Sequence, residues 1–191
     1  MKNIFLLFVF LLSCGFGFSQ NKSSINFSYS RATDFKWPDS RGDLQKNLRT
    51  SSVKLSYSYP VCKSLSLETG LEYTRLLAST NLDADISKPY TNRNANLLSI
   101  PVDTKLKFLR YFFMNTGLSV DFNLNKTPSN SFNKPIGLGL RAGLGAELKL
   151  RNVCLTINPL FRTLSTVPFQ NQDGNQHLLE LGIEYGVGYS F

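Results

Sequence analysis

The chain is poor in the residues that most enzyme chemistry needs. It has one histidine, three cysteines, one tryptophan and two methionines in 191 residues, and only 18% of it is charged. Three cysteines exclude a disulfide-dense miniprotein, and a single histidine beside them argues against a zinc enzyme. The charged fraction is below the ~25% usual for soluble domains. Together with 42% hydrophobic residues it excludes a disordered polyelectrolyte, a collagen and a coiled coil. Long apolar runs are missing too. Beyond residue 20 nothing approaches the roughly 20 apolar residues of a membrane-spanning helix. No phosphate loop, calcium loop, metal cluster or solenoid repeat is visible, so no cofactor is expected. What is abundant is aromatic, with 15 Phe and 8 Tyr, and basic, with 21 Lys+Arg against 13 Asp+Glu.

Residues 1–19 read as a cleaved signal peptide, leaving 20–191 as one domain. Met1-Lys2-Asn3 is a cationic start, Ile4 to Leu12 an apolar run, and Gly17 and Ser19 supply the small residues a signal peptidase requires. A second cut is open: Leu11-Leu12-Ser13-Cys14 loosely resembles a lipoprotein box, which would leave a lipidated Cys14. Either way the chain is exported, and nucleic acid is not an expected partner. An exported chain without a membrane helix is either soluble or spans a membrane with strands.

Period-two alternation runs through the domain. From Leu179 to Phe191 every odd position is apolar or aromatic, and every even one is Glu, Gly or Ser. Residues 136–150 alternate Ile136, Leu138, Leu140, Ala142, Leu144, Ala146, Leu148 and Leu150 with Gly, Arg, Glu and Lys. Residues 112–124 and 97–108 follow the same rule, and shorter runs at 25–31, 51–60, 64–75 and 154–163 complete eight strands. The links alternate as well. Tight ones fall near Val61–Lys63, Leu109–Arg110 and Arg151–Val153, and long polar ones at 32–50, 76–96, 125–135 and 164–177. Eight strands with short links on one rim and long loops on the other predict an all-β, antiparallel, up-and-down transmembrane barrel, its turns periplasmic and its loops extracellular.

Glycine decides which face meets lipid. The polar face of the last two long runs carries Gly137, Gly139, Gly143, Gly145, Gly182, Gly186 and Gly188. Small residues relieve crowding inside a narrow cylinder but only weaken a water-exposed strand. The Gly/charged face is therefore expected inside and the Leu/Ile/Phe/Tyr face in hydrocarbon. Tyr57, Tyr59, Tyr73, Phe108, Phe112, Tyr185, Tyr189 and Phe191 are expected near strand ends, as an interfacial girdle. The inferred interior holds Lys54, Lys105, Lys107, Arg141, Lys149 and Arg162 against Glu68, Glu72, Asp103, Asp121, Glu147, Glu180 and Glu184. Six cations against seven anions suit a dry lumen plugged by ion pairs, since unpaired buried charge is expensive.

This pattern resembles the small outer-membrane β-barrel domain family of Gram-negative bacteria, the uncharacterised "outer membrane protein beta-barrel" type. The C-terminal stripe Ile183, Tyr185, Val187, Tyr189 and terminal Phe191 carries the likeness most specifically. Leu98-Ser99-Ile100-Pro101-Val102 is similar to an Ile-Pro element of that family's central strand. The resemblance implies a cell outer-membrane address, and Phe191, Tyr189, Val187 and Tyr185 as a signal for the barrel assembly machinery. Pro101 is expected at a bulge or near a rim, because it removes a ladder donor.

Catalysis finds little support. His177 stands three residues before Glu180, and with a serine the two could form a hydrolase triad. Lipid A deacylases, however, carry a serine two residues past the histidine, where this chain has Leu179. Palmitoyl transferases use an amphipathic helix for which Gln20–Ser24 is too short. Cys62 and Cys154 fall in predicted turns nearly opposite on the ring. A barrel on the order of 15 Å across exceeds the ~7 Å Cα separation of a disulfide, so no bridge is expected. The first loop joins Phe35, Trp37 and Arg41, a composition found in binding hot spots. The expectation is a monomer with a structural or interaction role through its loops, its partners being outer-membrane lipid, the assembly machinery and an envelope protein or surface ligand. A small passive porin-like channel or carrier, an acyl-ester hydrolase and a periplasmic ligand-binding barrel are the other readings.

Overall fold

The computed structural model describes residues 22–34, 46–80, 91–124, 136–168 and 178–191. The alternating runs form eight strands: β1 (Ser24–Asp34), β2 (Lys46–Pro60), β3 (Leu65–Thr80), β4 (Thr91–Phe108), β5 (Phe112–Asn123), β6 (Ile136–Leu150), β7 (Val153–Pro168) and β8 (Leu178–Ser190). Each pairs antiparallel with the next, and β8 returns to β1, so the sheet is a closed barrel in chain order. Closure pairs the backbone all the way round and leaves no open edge, a requirement for any sheet immersed in hydrocarbon.

Ser24 pairs with Ser190, and the links 61–64, 109–111 and 151–152 lie on that same rim. Two of these links are tight enough to force left-handed backbone on ordinary residues, Leu109 (φ 59°) and Arg151 (φ 54°). The opposite rim carries the longer connections. Most strands reach further toward it than alternation suggested. Ala32–Asp34 belong to β1, Lys46–Thr50 to β2, Leu76–Thr80 to β3 and Thr91–Asn96 to β4.

Two prolines interrupt the hydrogen-bond ladder. Pro101 stands well inside β4, not at a rim. Its pairing with β3 skips from Thr69↔Val102 to Glu72↔Ser99 with no change of register, so there is no bulge. The hydroxyl of Thr69 donates to the Pro101 carbonyl at 3.0 Å across this gap. Pro159 of β7 makes the same kind of gap toward β6. A true register shift occurs between Leu138 and Leu140, where residues 164–166 of β7 stand opposite Gly139 alone, and Leu140 N–H donates instead to Thr163 Oγ1 at 2.9 Å. Arg162 and Thr163 are consequently both buried.

The two faces are sorted as in a membrane barrel. Leu140, Leu181 and Ile183 point outward with 51%, 52% and 41% of their surface exposed, and similar belts run along every strand. Fully buried side chains are instead mostly Ser, Thr, Asn, Asp, Glu, Lys and Arg. A molecule with its oil outside and its charges inside has hydrocarbon as its matching solvent. Tyr57, Tyr59, Phe108, Tyr111, Phe112, Tyr189 and Phe191 gather around the short-link rim, Phe108 and Phe112 stacking at 6.4 Å. Tyr73 and Tyr185, expected in that girdle, lie instead near the middle of β3 and β8.

Candidate functional site

Among the described residues, buried polar chemistry is concentrated in the lumen. The barrel wall explains how so much charge fits. On β6 and β8 glycines alternate with charged side chains at the inward positions, and β1 and β2 contribute the small inward residues Ser28, Ser30, Ser52, Ser56 and Ser58. At Gly143 a Cβ would sit 2.5 Å from Asn115 Oδ1, 2.6 Å from Asn158 Oδ1 and 2.9 Å from the Pro159 carbonyl. At Gly139 it would meet Ser119 Oγ at 2.5 Å and Thr163 O at 2.6 Å. Long side chains from β2, β3, β4, β6, β7 and β8 occupy the space that these small residues leave.

Three cations and five carboxylates form one connected network. Arg141 on β6 is paired with Glu72 on β3, and reaches Asp103 on β4 at 3.5 Å and Glu184 on β8 at 3.3 Å. Arg162 on β7 holds Glu72 at 2.5 Å and Glu180 at 2.8 Å, its Nε donating a second bond to Glu180 at 3.0 Å. Lys54 on β2 lies 3.2 Å from both Glu68 and Glu184, and 4.0 Å from Asp103. Hydroxyls complete the shell: Ser56 donates to Glu68 at 2.7 Å, and Thr50 donates to Glu180. Six of the eight strands are thereby tied together through the centre. Charges so deeply buried persist only when paired this completely.

A second cluster closes the short-link mouth. Glu147 accepts from Lys105 at 2.5 Å and Lys107 at 2.7 Å, with Lys149 at 3.7 Å. The Lys105 ammonium also sits 4.0 Å above the ring of Phe113, a buried aromatic pressed against Gly145. The side chain of Lys149 is 54% exposed, so it belongs to the rim more than to the lumen. Asp121 is buried and accepts from Ser119 Oγ at 2.9 Å. The near-neutral total read from the sequence thus hides an axial separation. The centre carries an excess of carboxylates, and the mouth an excess of lysines.

Sequence reasoning overlooked the apolar part of the lumen. Leu76, Ala95, Leu97, Leu160 and Phe113 are buried, and Leu76 pairs directly with Ala95. Only their parity relative to outward neighbours such as Leu77, Leu98 and Phe112 could have placed them inside. Cys62 and Cys154 are not joined by a disulfide. Cys154 sits in β7, not in a turn, is buried, and borders with Cys62 the small cavity at the mouth. Among the described residues no group of three His, Cys, Asp or Glu side chains is arranged to hold a metal ion. The leader 1–19 with Cys14, His177, and the loop residues Phe35, Trp37 and Arg41 lie outside the described residues.

No family model matches the chain, and no curated protein matches it. Solved structures do. A set of de novo designed transmembrane β-barrels aligns with a TM-score of 0.46 and 12% identity, covering 91% of this chain and 98% of that one. The N-terminal β-barrel domain of Pseudomonas aeruginosa OprF aligns at 0.45 with 13% identity, over 90% and 100%. Ail, the attachment invasion locus protein of Yersinia pestis, aligns at 0.44 with 16% identity, over 91% and 100%.

Proposed function

We propose that this protein is an integral outer-membrane barrel that works through the surface it presents, with a lumen closed to solutes and no catalytic step. The observation that supports the reading is the ion-pair network across the bore. Arg141 and Arg162 span the lumen from one wall to another and are held by Glu72, Asp103, Glu180 and Glu184. A solute would have to separate charges that the dry interior cannot resolvate. The barrel then serves as a scaffold. Recognition of an envelope protein or a surface ligand falls to the loops of the long-connection rim, with Phe35, Trp37 and Arg41 as its binding residues. The C-terminal stripe Tyr185, Val187, Tyr189 and Phe191 serves as the signal for the outer-membrane assembly machinery, and lipid is the immediate partner of the apolar belt.

Planar-bilayer recording of the purified barrel tests the closed lumen. The expected trace is silent apart from brief noise. Steady single-channel openings of reproducible size would overturn the reading in favour of a small passive channel.

A further inference from the structure

The outward face of the barrel is not apolar throughout. Among the described strand residues whose side chains point outward, the only charged ones are Arg31, Arg49 and Arg75. All three are exposed, and they alternate with buried neighbours: Ala32 beside Arg31, Thr50 beside Arg49, Thr74 and Leu76 beside Arg75. They stand on consecutive strands, β1, β2 and β3. Arg31 pairs with Ser51 and Ser51 with Arg75, so both arginines lie in one row across the sheet. Arg49 is the next outward position along β2, between Thr33 and Leu77. At about 4.8 Å between strands and about 3.3 Å of rise per residue, the three backbones mark a triangle with sides of roughly 8–10 Å.

The triangle sits where the apolar belt ends. The next outward row toward the short links is Tyr29, Val53 and Tyr73, and below it come Phe27, Leu55 and Leu71. Arg49 stands ten residues along β2 from Tyr59 of the short-link rim. That is about 33 Å of strand, or ~25 Å along the axis at a tilt of ~40°, which matches the height of an apolar band. Long cationic side chains at such an edge extend to headgroup level. The described acidic side chains of the strands all face the lumen, so among the described residues none offsets these three like charges from outside the wall.

We propose that Arg31, Arg49 and Arg75 bind the phosphate of a lipid headgroup in the leaflet at the long-connection rim. The inference rests on the membrane reading of the barrel. Each of the three is an arginine, whose planar fork grips two oxygens of a phosphate together. The position selects a lipid over a soluble anion. A lipid brings its phosphate to the arginines and its acyl chains to Tyr29, Tyr73 and the belt beneath them.

The test titrates the barrel, folded in a maltoside detergent, with lipid A, a phosphorylated glycolipid, and with the same lipid stripped of phosphate. Native mass spectrometry counts the bound lipid. The phosphorylated form should bind at least about tenfold more tightly, the worth of one charge-assisted hydrogen bond. Arg31→Gln, Arg49→Gln and Arg75→Gln change exposed side chains and should fold, each weakening that binding by a similar factor. Arg110→Gln, which removes an exposed arginine from the opposite rim, should leave it unchanged. Equal binding of the two lipid forms, binding undiminished in all three variants, or an equal loss in Arg110→Gln would overturn this inference alone. A parent barrel that cannot fold into phosphatidylcholine vesicles would overturn the membrane reading and this inference with it.

Discussion

Arg162 on β7 and Glu72 on β3 meet at 2.5 Å, although they stand on diametrically opposite walls of an eight-stranded ring. The guanidinium and carboxylate between them cross the whole bore. Glu72 is also the carboxylate that Arg141 engages, so one side chain receives both arginines.

That arrangement makes Glu72 the costliest charge in the lumen to remove. Glu72→Gln leaves two buried guanidiniums each short of an anion, and breaking such a pair costs about 3–5 kcal/mol. Urea unfolding of the folded barrel in detergent should show a loss of that size. A loss below ~1 kcal/mol, the worth of a solvated surface pair, would mean that water fills the lumen and that the network is not a plug.

Gly143 and Leu144 are chain neighbours on opposite faces, and each tests its own side of the wall. Gly143→Ala would force a methyl group against Asn115, Asn158 and the Pro159 carbonyl. Overpacking of that kind costs about 1–3 kcal/mol, read as a lower urea midpoint. Leu144 is 58% exposed near the middle of β6. In a Trp37→Phe background, Leu144→Trp should emit at short wavelength and be quenched by lipids brominated in mid-chain. Emission untouched by those lipids would place this face away from the membrane.

How far the sequence could be read follows from how long parity holds. β6 was legible to its last residue, because Ile136 to Leu150 alternate with Gly, Arg, Glu and Lys without a break. β7 was read only to residue 163 because the register shift opposite Gly139 begins there and leaves Arg162 and Thr163 both buried, which breaks the alternation. Residues 76–80 of β3 and 91–96 of β4 were assigned to a loop because Leu76 and Ala95 fill the lumen beside outward Leu77, so the inner face no longer looks polar. Parity nominated thirteen charged residues for the lumen, of which Lys149 sits at the rim, and it could not give their pairing. Lys54 and Glu184 meet from positions 130 residues apart, and only closure of the ring brings their strands within reach. The carboxylate excess of the centre and the lysine excess of the mouth follow from strand stagger, which composition does not carry.

The short-link rim holds recoverable strain. Leu109 and Arg151 occupy left-handed backbone at φ 59° and 54°, a conformation costing non-glycine residues about 1–2 kcal/mol. Leu109→Gly and Arg151→Gly should each raise the urea midpoint, by something under ~1 kcal/mol once glycine's greater unfolded-state freedom is subtracted. A lowered midpoint in both would show that these side chains contribute more at the interface than their backbone strain removes.

Phe191 separates stability from assembly. Its ring is 57% exposed on the outer face, and its N–H donates to the Ser23 carbonyl at 3.1 Å. Phe191→Ala keeps that backbone bond and gives up only the ring's share of apolar burial, about 1–2 kcal/mol against lipid. Refolded in detergent, the variant should therefore migrate as a compact, heat-modifiable band like the parent. If the terminal aromatic is what the assembly machinery reads, its folded yield in outer membranes should fall several-fold, and Phe191→Tyr should restore it. Equal yields of Phe191→Ala and parent in cells would leave this ring with nothing more than its contact with lipid.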